Sequence, residues 1–245
     1  MVKNGMFDLD EFKALDFKYV EFDYIHETDW TSKASFDGYE YNVIESYADS
    51  LKSHVYELAI LKVKDKNTLK RILGILQRDP SVEELVTFRP INDGYPRKIA
   101  VMLKSRLSNS TRYRARLFNG IEVRDYITYG VEKWGFLFPR DVKLDLLFER
   151  LRNNGRILNV SARTVSITDA IGLINFNKVS ALLTKAELNT LLKAYRLGFF
   201  DEPKKVGLRE LSKELNLSIS TVNHQLRNGL KKVLDAIFNS YDESY

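Results

Sequence analysis

One short stretch near the C-terminus, residues 217–227, most constrains what this chain can fold into. Ser218 is a favourable N-cap residue, because its hydroxyl accepts a hydrogen bond from an amide of the first helical turn that otherwise has no partner. Ile219, Val222 and Leu226 follow at the spacing of one apolar stripe on a helix. The stretch therefore predicts a capped amphipathic helix with a polar face turned away from the core.

A second short amphipathic helix is predicted directly before it, over residues 208–215. Only Asn216 and Leu217 separate the two helices, and Asn tolerates the left-handed conformation that a sharp turn requires. A third helix is predicted upstream, because Thr184 and Glu187 have the spacing of a capping box and leucines follow at helical intervals. Two helices joined by so short a turn form a helix-turn-helix, whose second helix enters the major groove of DNA.

An aromatic-Asp-x-Pro-basic-basic segment at residues 200–205 separates the first two of these three helices. With the helices around it, this segment resembles the bacterio-opsin activator type of helix-turn-helix domain, a family of archaeal transcription regulators. The residues that carry the resemblance are Leu183–Glu187, Ala194–Val206, Leu211–Leu215 and Ser218–Val222. The resemblance spans residues 183–238 and implies a DNA-binding transcription factor. Gly229 departs from the usual pattern of good helix formers and predicts a bend or loosening of the last helix.

The polar face of the last helix and the basic loop before the helix pair supply the candidate DNA contacts. We expect the short polar side chains to probe base edges and the cations to meet phosphates. The predicted contacts are Ser218, Ser220, Thr221, Asn223, His224, Arg227, Lys231, Lys232, Lys204 and Lys205. The alternative for each is an ordinary solvated side chain on a helix face or in a loop.

The composition limits the classes of protein to which the chain can belong. A formal net charge of +5 and an isoelectric point near 9.1 permit nucleic-acid binding without requiring it. Cysteine is absent, which excludes a disulfide framework, a thiol nucleophile and a thiolate zinc site. No apolar run is long enough to span a bilayer, and residues 1–10 are acidic rather than signal-like. We therefore expect a soluble, cytoplasmic protein.

The remainder of the chain is predicted to be α+β. Stretches that alternate apolar and polar residues predict eight strands between turn signals. The predicted strands are residues 17–25, 38–44, 54–64, 82–90, 98–104, 121–129, 131–139 and 156–166. Helices are predicted at residues 105–119, at residues 142–153 after a cap at Asp141, and after a cap at Asp65 or Asn67.

An internal duplication is predicted within this region. Leu69, Ile72, Leu73 and Leu76 recur 75 positions later as Leu144, Leu147, Phe148 and Leu151. The same displacement relates the flanking strands, and the order β-α-β-β-α-β is that of a ferredoxin-like module. We therefore expect two ferredoxin-like modules in tandem. The first fits this order only if its first helix is short or is replaced by the loop around Trp30.

The expected domains follow from these elements. They are a first α/β module at residues 1–92, a second at 93–166, a linker at 167–183 and an all-α helix-turn-helix domain at 184–245. The linker carries apolar residues rather than a Gly/Ser-rich tract, so we expect it to pack on the helix-turn-helix domain as an extra helix.

The two tryptophans admit two interpretations. Trp30 and Trp134 are predicted to pack in the core, where large aromatic side chains usually lie. The alternative is an effector pocket that they line together with Tyr24, Tyr126 or His26.

The basic series in the helix at residues 105–119 also has two interpretations, a basic surface of a regulatory domain or a second contact with nucleic acid. Its members are Arg112, Arg114 and Arg116.

Neither a metal nor a cofactor is predicted. His26, Glu27 and Asp29 are close enough in sequence to suggest a metal site, but with only His54 as a further nearby histidine we do not expect one. No Gly-rich phosphate loop, Ser/His/Asp arrangement or paired-carboxylate motif is present, so we do not expect an enzyme.

These observations predict a sequence-specific DNA-binding transcriptional regulator. Its expected partners are double-stranded DNA and a second copy of the chain, since one helix-turn-helix makes few contacts and dimers of such proteins bind two half-sites. The N-terminal α/β region is expected to sense a small-molecule effector, to form the dimer, or both. The alternative is an effector-binding or protein-interaction module whose C-terminal domain docks to the transcription machinery rather than to DNA.

Overall fold

The computed structural model describes residues 16–238 and divides the chain into two compact units, Met1–Ile174 and Asn175–Tyr245. The expectation about the acidic residues 1–10 lies outside the described residues. Within the described part of the chain, no helix is long and apolar enough to cross a membrane.

One eight-stranded sheet forms the centre of the first unit, and every pairing in it is antiparallel. The strands are β1 (Phe17–His26), β2 (Tyr39–Asp49), β3 (His54–Val63), β4 (Val82–Pro90), β5 (Arg97–Arg106), β6 (Ile121–Thr128), β7 (Val131–Pro139) and β8 (Gly155–Val165). All eight predicted strands are confirmed, and the protein is α+β. Their order across the sheet is β4-β5-β3-β2-β6-β7-β1-β8.

The helices of the first unit connect these strands. They are α1 (Trp30–Lys33), α2 (Lys66–Leu76), α3 (Thr111–Arg116), α4 (Asp145–Arg152) and the start of α5 (Ile167–Ser180). Of the two alternatives for the first segment, a short helix or a loop around Trp30, the structure shows the short helix α1. The predicted helix at residues 105–119 is shorter, because β5 continues to Arg106 and Ser110 caps α3 by accepting a hydrogen bond from the Tyr113 amide. The predicted cap at Asp141 is wrong, since α4 begins only after Leu144.

The strands form two halves, β1–β4 and β5–β8, and the first strand of each half pairs with strands of the other half. Hairpin β2-β3, helix α2 and strand β4 are repeated in the same order as β6-β7, α4 and β8, which agrees with the displacement seen in the sequence. However, β5 lies between β3 and β4, and β1 lies between β7 and β8. Residues 16–92 and 93–166 therefore share one continuous sheet, and two tandem ferredoxin-like modules are not confirmed.

The apolar core of the first unit lies where the helices cover the sheet. One cluster joins α1 and α2 to β2, β3 and β5 and includes Trp30, while another joins α4 to β1 and β7 and includes Trp134. Both tryptophans are buried, as predicted for core residues. The linker is helical, as predicted, but Ala170 in the first half of α5 packs in a cluster with Tyr19 and Leu137 of the sheet. The first half of α5 thus belongs to the core of the first unit.

The described part of the second unit contains three further helices, α6 (Lys185–Arg196), α7 (Leu208–Leu215) and α8 (Ile219–Phe238). Their apolar faces meet in one cluster around the buried side chains Ala194, Leu211, Val222 and Leu226. Each helix contributes to this core because its apolar residues recur at the three- and four-residue spacing that places them on one face.

Candidate nucleic-acid interface

Helix α6 begins at the predicted capping box. The Thr184 hydroxyl accepts a hydrogen bond from the Glu187 amide at 3.2 Å, and the Glu187 carboxylate accepts one from the Thr184 amide at 2.8 Å. Gly198 follows the helix with φ of +77°, a conformation that glycine adopts without steric cost. These local signals explain why α6 begins and ends where it does.

The turn between α7 and α8 depends on Asn216. Its backbone is left-handed, with φ of 52° and ψ of 45°, as expected from the residue type. The Asn216 amide donates to the Lys213 carbonyl at 3.1 Å, and the Leu217 amide donates to the Ser212 carbonyl at 3.0 Å. Two carbonyls of the last turn of α7 are therefore satisfied within the turn, where the chain changes direction before α8.

Ser218 caps α8. Its hydroxyl accepts a hydrogen bond from the Thr221 amide at 3.1 Å and lies 2.8 Å from the Thr221 hydroxyl. Both hydroxyls are thus already hydrogen-bonded within the protein. Ser218 remains exposed, so it can approach a phosphate while it caps the helix, but its first role is to start α8.

The outward face of α8 carries five of the ten predicted contacts. Val222 and Leu226 are buried, and the opposite face of the helix is exposed. Its exposed members are Ser220, Asn223, His224, Arg227 and Lys231. The His224 Nε2 atom accepts a hydrogen bond from the side-chain amide of Asn228 at 2.9 Å, provided that the imidazole is protonated at Nδ1. Within residues 16–238 the Arg227 guanidinium has no ion-pair partner, so its full charge faces solvent.

The predicted lysine contacts differ in how they are held. Lys231 pairs with Asp235 at 2.9 Å and Lys205 with Asp201 at 2.8 Å, both on the exposed surface. The hydrogen bond that the Lys205 ammonium donates to Asp201 also raises the pKa of Lys205. The Lys204 ammonium lies 4.8 Å from the centre of the Phe199 ring, a cation–π contact. All three ammonium groups stay near the surface, where a phosphate can compete with their present partners.

Lys232 occupies a different position from the other lysines. Its ammonium lies 2.6 and 2.7 Å from the two carboxylate oxygens of Glu187, on α6. Burial raises the pKa of Glu187, but the hydrogen bonds from Lys232 and Thr184 outweigh this effect and lower it. The ion pair places Lys232 between α6 and α8, so its main interaction in the free protein is with α6.

Gly229 does not interrupt α8, which is continuous from Ile219 to Phe238. Gly229 is buried, and a Cβ at this position would lie 2.7 Å from Leu191 Cδ1 on α6. The glycine therefore permits the close approach of the two helices. This contact compensates for its low helix propensity.

Sequence reasoning overlooked two cations on α7. Arg209 and Lys213 are exposed, and the first helix of a helix-turn-helix crosses the DNA backbone. Their signal was present in the sequence, because both lie off the leucine stripe of that helix.

The basic series on α3 was partly misjudged, since Arg112 is only 2% exposed and cannot belong to a basic surface.

The short left-handed turn, the buried stripe of α8 and its polar outer face together define a helix-turn-helix unit. Residues 183–235 match the family model described as HTH DNA binding domain, of the bacterio-opsin activator type. The chain therefore carries the DNA-binding domain of transcription regulators, as the sequence predicted. The implied archaeal origin stays a prediction. No curated protein sequence matches the chain significantly.

Proposed function

We propose that the protein is a sequence-specific transcriptional regulator that inserts α8 into the major groove of DNA. The observation that carries the proposal is the division of α8 into a buried stripe, at Val222 and Leu226, and an exposed face of hydrogen-bonding side chains. An α-helix fits the major groove, and each base pair presents a distinct pattern of donors and acceptors there. A regulator rather than an enzyme accounts for this arrangement.

The side chains on the outward face divide by chemistry. Asn223 and His224 are short groups near the start of α8, suited to contacts with base edges, and Asn pairs with adenine in the major groove through two hydrogen bonds. Arg227 and Lys231 lie further along the helix and are suited to phosphates, which position the protein without specifying sequence. Ser220 and Thr221 lie at the N-terminus of α8, where hydroxyls and free amides favour a phosphate.

The loop lysines and the α7 cations are proposed to flank the groove. Lys204 and Lys205 follow the cis peptide bond at Pro203 and face solvent. Arg209 and Lys213 are suited to the backbone on the side of the first helix. Lys232 is proposed as a secondary contact, because a phosphate must displace its ion pair with Glu187.

A binding selection from fragmented genomic DNA tests this assignment. Asn223→Ala and His224→Ala should broaden the set of recovered sequences and reduce discrimination against a single mismatched base pair by about 1–3 kcal/mol. Arg227→Ala should weaken binding to all duplexes alike. Lys70→Ala, which removes one exposed positive charge from α2, is the matched control and should leave selection and affinity unchanged. Unaltered DNA binding in all three α8 variants would refute the groove assignment and favour docking to a protein of the transcription machinery.

We further propose that the regulator is a homodimer whose two copies meet through the C-terminal half of α8. Leu230, Leu234 and Ile237 are 38%, 50% and 47% exposed and lie at i, i+4 and i+7, one stripe of the helix. A stripe with this spacing can pair with its own copy as a short coiled coil. A dimer also supplies the second recognition helix that a two-fold operator requires.

Leu234→Glu tests the dimer, because it places a charge on the proposed helix pair in both copies. Light scattering should report a dimer for the original protein and a monomer for the variant. Leu51→Glu is the control, since Leu51 is a 96% exposed residue in the turn after β2 and should not affect the dimer. A monomeric original protein, both free and on DNA, would contradict the proposal.

A further inference from the structure

A small polar cavity of about 30 Å³ lies within the first unit, near the start of α1. His26, Asp29, Glu57, Asp125, Glu132 and Trp134 are among the residues that line it. A space of this size holds one ion or one or two water molecules and is too small for a metabolite. Its walls are rich in carboxylates, although the sequence pattern around it is that of an ordinary sheet core.

Three of the lining residues have the arrangement of metal ligands. His26, Asp29 and Glu132 each offer one ligand atom, and these atoms lie within 4.8 Å of one another. The His26 Nδ1 atom is 3.2 Å from Glu132 Oε1. Two ligands bound at about 2.1 Å to a tetrahedral metal ion lie roughly 3.4 Å apart, so this separation suits an ion that replaces the hydrogen bond between them.

The rest of the hydrogen bonding orients these ligands. Asn109 Oδ1 lies 3.2 Å from His26 Nε2 and accepts hydrogen bonds from Thr28 and Asn154, so it requires Nε2 to be the protonated nitrogen. Such a bond from the far nitrogen of a histidine to an oxygen is usual in metal sites, because it fixes the ring orientation and the tautomer. Nδ1 donates to the Glu132 carboxylate at 3.2 Å in the free protein, and this proton is released when a metal ion binds at Nδ1.

The ligand carboxylate is positioned in the same way. Glu132 accepts hydrogen bonds from the Thr31 hydroxyl at 2.7 Å and from the Trp134 indole at 2.8 Å. Asp29 accepts one from the Thr31 amide at 3.2 Å, which ties its carboxylate to the start of α1. These contacts hold two carboxylates from different elements toward one point.

A second, independent observation points to a cation. Asp125 is 4% exposed and lines the same cavity, yet its Oδ1 atom has no hydrogen-bond partner among the described residues. Its other oxygen is held by Arg112. Buried carboxylate oxygens are rarely left without a donor or a cation, because the desolvation cost is high.

The charge balance points the same way. Asp29, Glu57, Asp125 and Glu132 line the cavity, and Arg112 is bonded to two of these four carboxylates, Glu57 and Asp125. Arg112 also pairs with Glu122, so its single positive charge is shared among three acids. The His26 imidazole faces Glu132 at 3.2 Å and can itself be cationic, so a divalent ion that displaces its Nδ1 proton would add one net positive charge to the cavity.

We propose that the cavity binds one divalent first-row transition-metal ion through His26, Asp29 and Glu132, with the Asp125 carboxylate facing the ion. One imidazole with carboxylates suits Zn²⁺ and Mn²⁺ better than Mg²⁺, since imidazole is a poor ligand for the harder ion. Metal binding by this site does not depend on the proposed DNA-binding function. Its use as the effector site of the regulator rests on the proposed function.

Titration of the chelator-treated full chain with Zn²⁺, followed by calorimetry, tests the site. One ion per chain is expected, with Mg²⁺ at least tenfold weaker. Asp29→Asn should weaken Zn²⁺ binding at least tenfold, although it retains an N-cap for α1 because Asn caps helices well. Glu132→Gln should have the same effect. His54→Ala is the control, because His54 contacts Glu83 outside the cavity, and it should bind Zn²⁺ as the original chain does.

X-ray absorption at the zinc edge of the unsubstituted protein gives a second test that requires no variant to fold. One imidazole nitrogen and the rest oxygen ligands are expected. A shell without imidazole, no bound ion, or binding that is lost in His54→Ala and kept in Asp29→Asn would overturn the proposal. DNA binding is measured on the same samples. A protein that binds no metal ion but still binds DNA would refute the metal site and leave the proposed regulator function intact.

Discussion

The ammonium of Lys232 on α8 lies within 2.7 Å of both carboxylate oxygens of Glu187 on α6. The same carboxylate closes the capping box of α6 through the Thr184 amide. One acidic side chain therefore fixes the start of α6 and attaches the middle of α8 to it. The position of the proposed recognition helix depends on this ion pair as well as on the apolar core.

Lys232→Ala should destabilise the second unit by about 1 kcal/mol, because it leaves the Glu187 carboxylate without its cation. Lys231→Ala is the matched control and should cost less than about 0.5 kcal/mol, since its partner Asp235 is on the exposed surface. Both tryptophans lie in the first unit, so far-UV circular dichroism compared with tryptophan fluorescence isolates the transition of the second unit. Equal effects of the two substitutions would show that the pair does not hold the helices together.

Acid should lower the stability of the second unit, because Glu187 becomes protonated. Its folded-state pKa lies below the ordinary value of 4.5, chiefly because the hydrogen bonds from Lys232 and Thr184 outweigh burial. A depressed carboxyl pKa contributes stability that is present above pH 4.5 and is lost as the pH falls through the folded-state pKa. The difference in unfolding free energy between the original protein and Glu187→Gln should therefore be constant near neutral pH and shrink below pH 4.5. A difference that stays constant down to the acid transition would contradict this role.

Ser218→Ala should destabilise α8 by about 1 kcal/mol, because the Thr221 amide loses its acceptor. Ser220→Ala removes a neighbouring exposed hydroxyl that caps nothing, and should change stability by less than about 0.5 kcal/mol. Thermal unfolding by circular dichroism compares the two. If Ser220→Ala proved the more damaging, α8 would have to begin at a different residue.

Arg112→Ala should be among the most damaging substitutions in the first unit, at about 3–5 kcal/mol, because it leaves three acidic groups around an empty guanidinium site. Those groups are Glu57, Glu122 and Asp125. Arg116→Ala on the same helix is exposed and should cost less than about 0.5 kcal/mol. Denaturation followed by tryptophan fluorescence measures both. A mild effect at Arg112 would mean that the acids are relieved by protonation instead.

Local features of the chain were predictable from sequence. The capping box at Thr184, the left-handed Asn216 and the Ser218 cap depend on residues only a few positions apart, so their chemistry is visible in the order of residues. The eight strands were likewise visible as alternating stretches. The match of residues 183–235 to a DNA-binding family agrees with what these signals indicated.

Features that join distant parts of the chain were not predictable. Periodicity identifies β1 and β5 as strands but does not say which neighbours they take, so the exchange of first strands was missed. Gly229 was interpreted within its own helix, whereas its reason is Leu191 on another helix. Glu132 lies 106 positions from His26, so no local spacing could place them in one site.

The central claim is that α8 reads a DNA duplex through phosphate and base contacts. The most direct measurement is the affinity of the full chain for its selected duplex as a function of salt. Contacts with phosphates predict a linear fall of log affinity against log salt, with a slope of about −0.9 for each phosphate neutralised, and Arg227→Ala should flatten it by about one contact per chain. An affinity that is independent of salt, or a slope unchanged in Arg227→Ala, would contradict the account.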